Sequence, residues 1–325
     1  SGAAIVMNVK TGEVLSMASY PDFNPQDFVG GISAENWEKY NTEDTPQVNK
    51  TMQTAYAPGS IFKMVTAIAG LESGAISTKE TINDTGVYPK YTNPKCWIYT
   101  DYHRGHGRLN VSGAIQHSCN YFFYEMGYRL GKSNGTSYDS AVGLDKMEKY
   151  ATKLGLNMKS GVEITEREPH FSTESAVHSA IGQGSNAYTP AQLARYVSTV
   201  ANGGKNYNLT LLDKVKSRKG KLVLNNKAKM TNKVEASQST WNAIHSGMRQ
   251  VVTSGTVRNY FTDTKITFAG KSGTAQENLH RNSHALFVAY APYDNPKIAI
   301  STVLPFANSS HDSAELAKNC VQYYY

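Results

Sequence analysis

The 325-residue chain predicts a mixed α/β fold of the α+β kind: one antiparallel sheet flanked by helices, with a helical subdomain. Three observations point there. Alternating apolar segments lie at both ends of the chain. Helix-periodic segments with start and stop signals fill the middle. No internal repeat or low-complexity tract interrupts this order. The sheet is expected from residues 1–20 and about 265–325, with a helical and loop insertion over about 60–255.

Residues 3–18 read as a hairpin, Ile5-Val6-Met7 leading through Lys10-Thr11-Gly12-Glu13 to Val14-Leu15-Ser16-Met17. Residues 21–49 are polar, with scattered Pro, Gly and Asn, and read as irregular around one short helix. Pro58-Gly59 then breaks the backbone ahead of a helix over 61–71 that closes at Ser73-Gly74. The glycine- and proline-rich stretch 81–108 reads as loop. Helices follow at 121–130, stopped by Gly131, and 145–154, stopped by Gly155. Thr189 as N-cap and Pro190 at the first helical position open a helix that Gly203-Gly204 closes. Another covers 240–252. Residues 267–275, 284–290 and 297–304 read as strands, and a helix over 313–322 ends the chain.

Hydrophobic residues at 40% and charged residues at 18% describe a globular protein with a sizeable core. No stretch approaches the ~18 consecutive apolar residues of a membrane span. Ser1-Gly2 reads as an added dipeptide before a strand, and the chain as a fragment separated from an anchor. The net charge of +7 is spread out, apart from Lys214–Lys221 in a loop or hairpin. No nucleic-acid-binding signature accompanies it, so a solvated face is expected and no nucleic-acid partner. Three cysteines, Cys96, Cys119 and Cys320, argue against a disulfide framework.

Ser60 stands at the first turn of the 61–71 helix, and Lys63 one turn on shares its face. The pair offers a hydroxyl nucleophile and an amine to take its proton, beside unpaired N–H groups at a helix start. Two further patterns follow in order: Ser118-Cys119-Asn120 before the 121–130 helix, and Lys271-Ser272-Gly273-Thr274 on a late strand. Alone, each has an ordinary explanation: capping for Ser60 and Ser118, a bulged strand edge for Lys271–Thr274.

The ordered triple resembles that of the penicillin-recognising serine acyl-transferases. Gly182-Gln183-Gly184, Thr189-Pro190-Ala191-Gln192-Leu193-Ala194, Ala201-Asn202-Gly203-Gly204, Gly255-Thr256 and Tyr290-Ala291-Pro292 look like class B penicillin-binding proteins, elongation or sporulation type, over nearly the whole chain. The resemblance implies the shared transpeptidase and serine β-lactamase fold. It makes Ser60 the nucleophile toward peptidoglycan stem peptides ending in D-Ala-D-Ala, and the residue acylated by β-lactams. Lys63 would be its base, Ser118 a proton relay to the leaving amine, and Asn120 a hold on Lys63 and on the substrate. Lys271, Ser272 and Thr274 would bind the substrate carboxylate, with Gly273 letting the substrate backbone lie close. Ser272 departs from the usual threonine by one methyl. The family also implies an N-terminal membrane helix and a stalk domain outside these residues. It places the domain at the extracytoplasmic face of the cell membrane beside a glycosyltransferase partner.

No cofactor is needed for that chemistry. A structural zinc is nevertheless a candidate, because Cys96, Asp101, His103 and His106 crowd one loop and Cys119 lies inside the second motif. Four of these five would complete a tetrahedron and stiffen the loop. A structural His106, two buried thiols, or a Cys96–Cys119 disulfide suited to a family working outside the cell are the other readings. Two rival functions share the triple: a β-lactamase and a β-lactam-sensing domain. A lactamase needs a base for water; Glu163, Glu166 and Glu168 lie in a plausible loop, but the E-x-x-L-N pattern is missing.

Overall fold

The structure is a computed structural model that describes residues 1–132, 137–275, 282–307 and 309–325. Its sheet has five strands: β1 (Gly2–Asn8), β2 (Val14–Tyr20), β3 (Ala269–Ala275), β4 (His284–Ala291) and β5 (Ile298–Leu304). Their order is β2-β1-β5-β4-β3, and every neighbouring pair is antiparallel. The two chain ends therefore meet mid-sheet, where Val6 stands opposite Ser16 on one side and Ile300 on the other. Gly2 is buried within β1 and belongs to the sheet.

Helices α1 (Lys63–Glu72), α2 (Trp97–Tyr102), α3 (Val111–Gln116), α4 (Asn120–Leu130), α5 (Ser140–Lys153), α6 (Pro190–Ala201), α7 (Gln238–Thr253) and α8 (Ser310–Tyr324) carry most of the rest. Every residue of β4 is buried, so both sheet faces are covered. Helix α6 packs on β1 and β5, and α8 on β4 and β5. A Thr189–Gln192 capping box opens α6, which is buried along its whole length. Its Arg195 survives burial because Tyr207 O, Lys159 O, Asn208 Oδ1 and Thr231 Oγ1 accept from the guanidinium.

Two regions differ from expectation. The stretch 81–108 holds a ribbon, Ile82–Asp84 against Gly107–Leu109, and the short helix α2. Three-residue strands are too short to show alternation. Helix α3, capped by Asn110, is likewise too short for its period to register. The basic Lys214–Lys221 stretch forms an exposed hairpin with Leu222–Asn225.

One close approach positions the site. Edge strand β3 runs against the turn that leads into α1. A Cβ on Gly59, which has φ +49°, would overlap Thr274 O, and one on Gly273 would lie 2.7 Å from Pro58 O. Glycine at both places lets strand and helix entry touch.

Candidate active site

A single 3₁₀ turn, Gly59–Phe62, precedes α1. It leaves Ser60 half-buried at the rim and places Lys63, the first residue of α1, wholly out of water. Ser118 lies between α3 and α4 with φ +52°, a left-handed backbone that costs a non-glycine residue about 1–2 kcal/mol. That conformation accompanies a hydroxyl shared by two lysines. Lys63 Nζ donates to Ser118 Oγ at 3.1 Å, Ser118 O at 2.8 Å and Asn120 Oδ1 at 2.7 Å. Lys271 Nζ, from β3, donates to the same Ser118 Oγ at 3.0 Å and to Ser272 O at 2.9 Å.

Burial decides the charge state. It lowers the Lys63 amine to about 8, against a smaller upward pull from Cys96 and Cys119. Burial and then the neighbouring Lys63 push Lys271 well below the ordinary lysine value. Two like charges bridged by one oxygen cannot both persist, so the pair holds about one proton at neutral pH.

A cleft of about 590 Å³ opens above these amines. Ser60, Ser118, Asn120, Ser272 and Thr274 line it, so residues from all three motifs converge on one space. Ser60 Oγ has no hydrogen-bond partner among the described residues. Gly273 is buried against Pro58 and Ile61. A side chain there would meet the helix entry, which is a reason for glycine beside the expected room for a substrate backbone. Residues to which the sequence reading gave no role also line the cleft: Trp97 and Tyr102 of α2, Thr256, quoted only for the family resemblance, and His311 of α8. Thr256 Oγ1 lies 3.3 Å from Ser272 Oγ, and His311 Nε2 lies 3.2 Å from Thr256 O.

The glutamates are engaged elsewhere. Glu163 accepts from Leu211 N and pairs with Thr210, Glu166 accepts from Ser160 and Gln192, and Glu168 pairs with Lys159. None lines the cleft.

The expected metal ligands divide. Cys96, His106 and Cys119 come together, but with Asp84 as the fourth group; their donor atoms all lie within 4.8 Å of one another. Asp101 and His103 are exposed at the far end of α2, outside this cluster, and the five-residue set is corrected accordingly. Asp84 Oδ2 lies 2.7 Å from His106 Nδ1 and accepts from Cys119 Sγ at 3.3 Å, while Cys96 Sγ lies 3.6 Å from His106 Nδ1. Burial pushes the Asp84 carboxyl up, but hydrogen bonds from His106, Gly86 and Cys119 outweigh it and hold it near 2. The neighbouring Cys119 thiol draws Cys96 down, whereas burial drives Cys119 up. Both cysteines are free, so the disulfide reading is not realised. No signal in the chain marked Asp84, which lies in a stretch read as loop.

A five-stranded antiparallel sheet, a helix whose first turn presents serine and lysine, and a second lysine on the edge strand define an active-site-serine, penicillin-recognising protein. The chain belongs to the penicillin-binding protein transpeptidase domain family, whose pattern matches residues 2–322. The peptidoglycan D,D-transpeptidase MrdA of Haemophilus influenzae is 31% identical over 99% of this chain and 52% of its own length. Stage V sporulation protein D of Bacillus subtilis is 30% identical over 91% of the chain and 44% of its own length. The chain thus spans about half the length of these relatives. Among solved structures, Pseudomonas aeruginosa PBP2 in complex with WCK 5153 superposes with a TM-score of 0.85 at 28% identity, covering 99% of this chain and 73% of that one. The resemblance to class B members, and the fold it implied, are borne out.

Proposed function

We propose that this chain is the catalytic domain of a class B peptidoglycan D,D-transpeptidase, and a covalent target of β-lactams. The observation that carries the reading is Ser118 Oγ, held within 3.1 Å of one buried lysine amine and 3.0 Å of another. A free serine hydroxyl is a weak nucleophile; a neutral amine one turn away removes its proton. Ser60 Oγ then attacks the carbonyl carbon of the penultimate D-alanine. The oxyanion settles toward the N–H groups of Ser60 and Thr274. The proton travels from Lys63 through Ser118 to the departing D-alanine amine as the C–N bond breaks. The donor's terminal carboxylate binds Lys271 with Ser272 and Thr274, and its negative charge draws the shared proton onto Lys271. Lys63 is left as the free base that acylation requires. An acceptor amine then displaces Ser60.

The engagement of Glu163, Glu166 and Glu168 away from the cleft favours this over a β-lactamase that would use one of them to activate water. Mass spectrometry after exposure to penicillin should show one long-lived adduct on Ser60. No adduct, or one on another side chain, overturns the reading; rapid turnover makes the protein a lactamase. Stem-peptide donor and acceptor should give a cross-link, which a sensor domain would not form. The full-length protein, in this reading, carries a membrane helix and stalk before this domain and works outside the membrane with a glycosyltransferase partner. No helix among the described residues is long and apolar enough to cross a membrane.

A structural zinc at Asp84, Cys96, His106 and Cys119 belongs to the same proposal. The donor set is of zinc type; tetrahedral ligands about 2.0–2.3 Å from one ion lie about 3.3–3.7 Å apart, so the 2.7 Å His106–Asp84 contact would open to admit it. His106 Nε2 is buried without a partner, so the ring is held only from its Nδ1 side, where the cluster lies. The ion would clamp the ribbon and α2 to the helix that carries Asn120. Metal analysis of protein purified without added zinc should find one equivalent, and chelation should lower the melting temperature. A metal-free protein with unchanged melting removes the zinc.

A further inference from the structure

We infer that Asp101 is the specificity-determining residue for the acyl acceptor: it receives the incoming ammonium group and disfavours acceptors with a carboxylate beside the amine. The inference rests on the transpeptidase reading and adds the chemistry of the second substrate.

Asp101 is the only carboxylate among the described residues that line the cleft. It is exposed, and no hydrogen bond or ion pair engages it among the described residues. Its place is not accidental drift of a loop. Helix α2 follows Cys96, its N-cap inside the buried cluster, and Trp97 Nε1 donates to His117 O at 3.0 Å, beside Ser118. The helix ends in His103 with φ +54°, whose N–H bonds Tyr99 O. The Tyr99 ring fills the space that a Cβ on Gly86 would need. The carboxylate is thus carried one turn beyond the anchored start of a short helix, on an exposed end that faces the cleft.

Its sign separates two functions within one cleft. The donor carboxylate belongs on β3, with Lys271, Ser272 and Thr274. A negative charge on α2 gives that donor nothing and repels a second anion. It attracts the group that the second half-reaction needs, an amine that is an ammonium ion in neutral water. The acceptor docks as the ammonium and loses one proton to solvent. The neutral amine forms the N–C bond as the C–Oγ bond to Ser60 breaks. Its second proton reaches Ser60 Oγ through Ser118 and Lys63, and protons and charges balance. An acceptor with a free carboxylate next to its amine brings that anion against Asp101. The favoured class is therefore an amine whose neighbouring carboxyl is amidated or absent.

The test measures partition of one acyl-enzyme. A D-alanyl thioester donor is given with glycinamide or with glycine, and aminolysis product is measured against hydrolysis product. The ratio is internal to each acyl-enzyme, so differences in donor acylation cancel. The wild type should favour glycinamide. Asp101→Asn should narrow the preference about fivefold through the acceptor KM, as expected for one solvent-facing ion pair. Asp101→Lys should reverse it in favour of glycine. A structural role for Asp101 would not follow the sign of the charge. An acyl-enzyme that forms in all three proteins with an unchanged glycinamide-to-glycine ratio overturns the role of Asp101 and leaves the transpeptidase reading standing. A wild type that forms no acyl-enzyme on Ser60 overturns both.

Discussion

Lys63 has its downward shift from burial, and the sign of that shift sets a pH profile. The base works only when neutral, and the two amines keep their one shared proton up to about pH 8. A β-lactam carboxylate that holds the shared proton on Lys271 frees Lys63 at pH 7, so acylation should be near its maximum there and fall as the pair loses that proton above about 8. Stopped-flow acylation rates across pH 6–10 would check this; a flat profile would mean that another group takes the proton. Lys63→Ala should slow acylation by about 10²–10⁴-fold, the usual worth of a positioned base. The same change strands the buried Ser118 O, at a cost of about 1–3 kcal/mol, while Asn120 Oδ1 loses its partner beside the open cleft. Melting curves must accompany the kinetics so that lost fold is not read as lost chemistry. The Ser60–Lys63 relation is legible in the sequence itself, because residues three apart on a helix share a face. That Ser118 and Lys271 join them is a long-range contact, which no local period encodes; only the family resemblance pointed to it.

Elements explain what proximity in sequence could not. Cys96 and Asp101 are five residues apart, so a loop would let both reach one ion. The helix α2 between them rises about 1.5 Å per residue, which sends Asp101 and His103 roughly 7 Å and more away from the buried end. Asp84 takes the vacant role because the ribbon pairs it with Gly107, next to His106. Neither a six-residue helix nor a three-residue strand leaves a period to read. Gly273 offers a sharper test at this scale. If its role were room for substrate alone, Gly273→Ala would spare stability. The contact with Pro58 O and Ile61 instead predicts that the added methyl forces β3 from the helix entry, costing about 1–3 kcal/mol. The melting temperature and the acylation rate should fall together; slowed acylation at full thermal stability would leave only the substrate explanation.

The whole molecule is a closed loop in sequence space, with its halves interlocked at the sheet centre. Ser60, Lys63, Ser118 and Asn120 precede the basic hairpin, while Lys271, Ser272 and Thr274 follow it. The hairpin tip, from Ser217 to Lys221, is exposed throughout. Cutting the chain between Arg218 and Lys219 breaks one covalent link but leaves β1 paired between β2 and β5, and α6 packed on β5. The interface between the two pieces includes core residues such as Ile5, Met7, Ile300 and Val303, all wholly buried. Burying side chains of this size is worth about 1.5–3 kcal/mol each, far beyond the entropy of releasing one surface turn. The nicked protein should run as two bands on a denaturing gel yet elute as one species in native gel filtration. Labelled penicillin should mark the amino-terminal piece at nearly the intact rate. Once denatured and separated, that piece should take no label, because the lysine that completes the site lies on its partner. Fragments that part without denaturant would show that the central strand pairing is not what unites the active site.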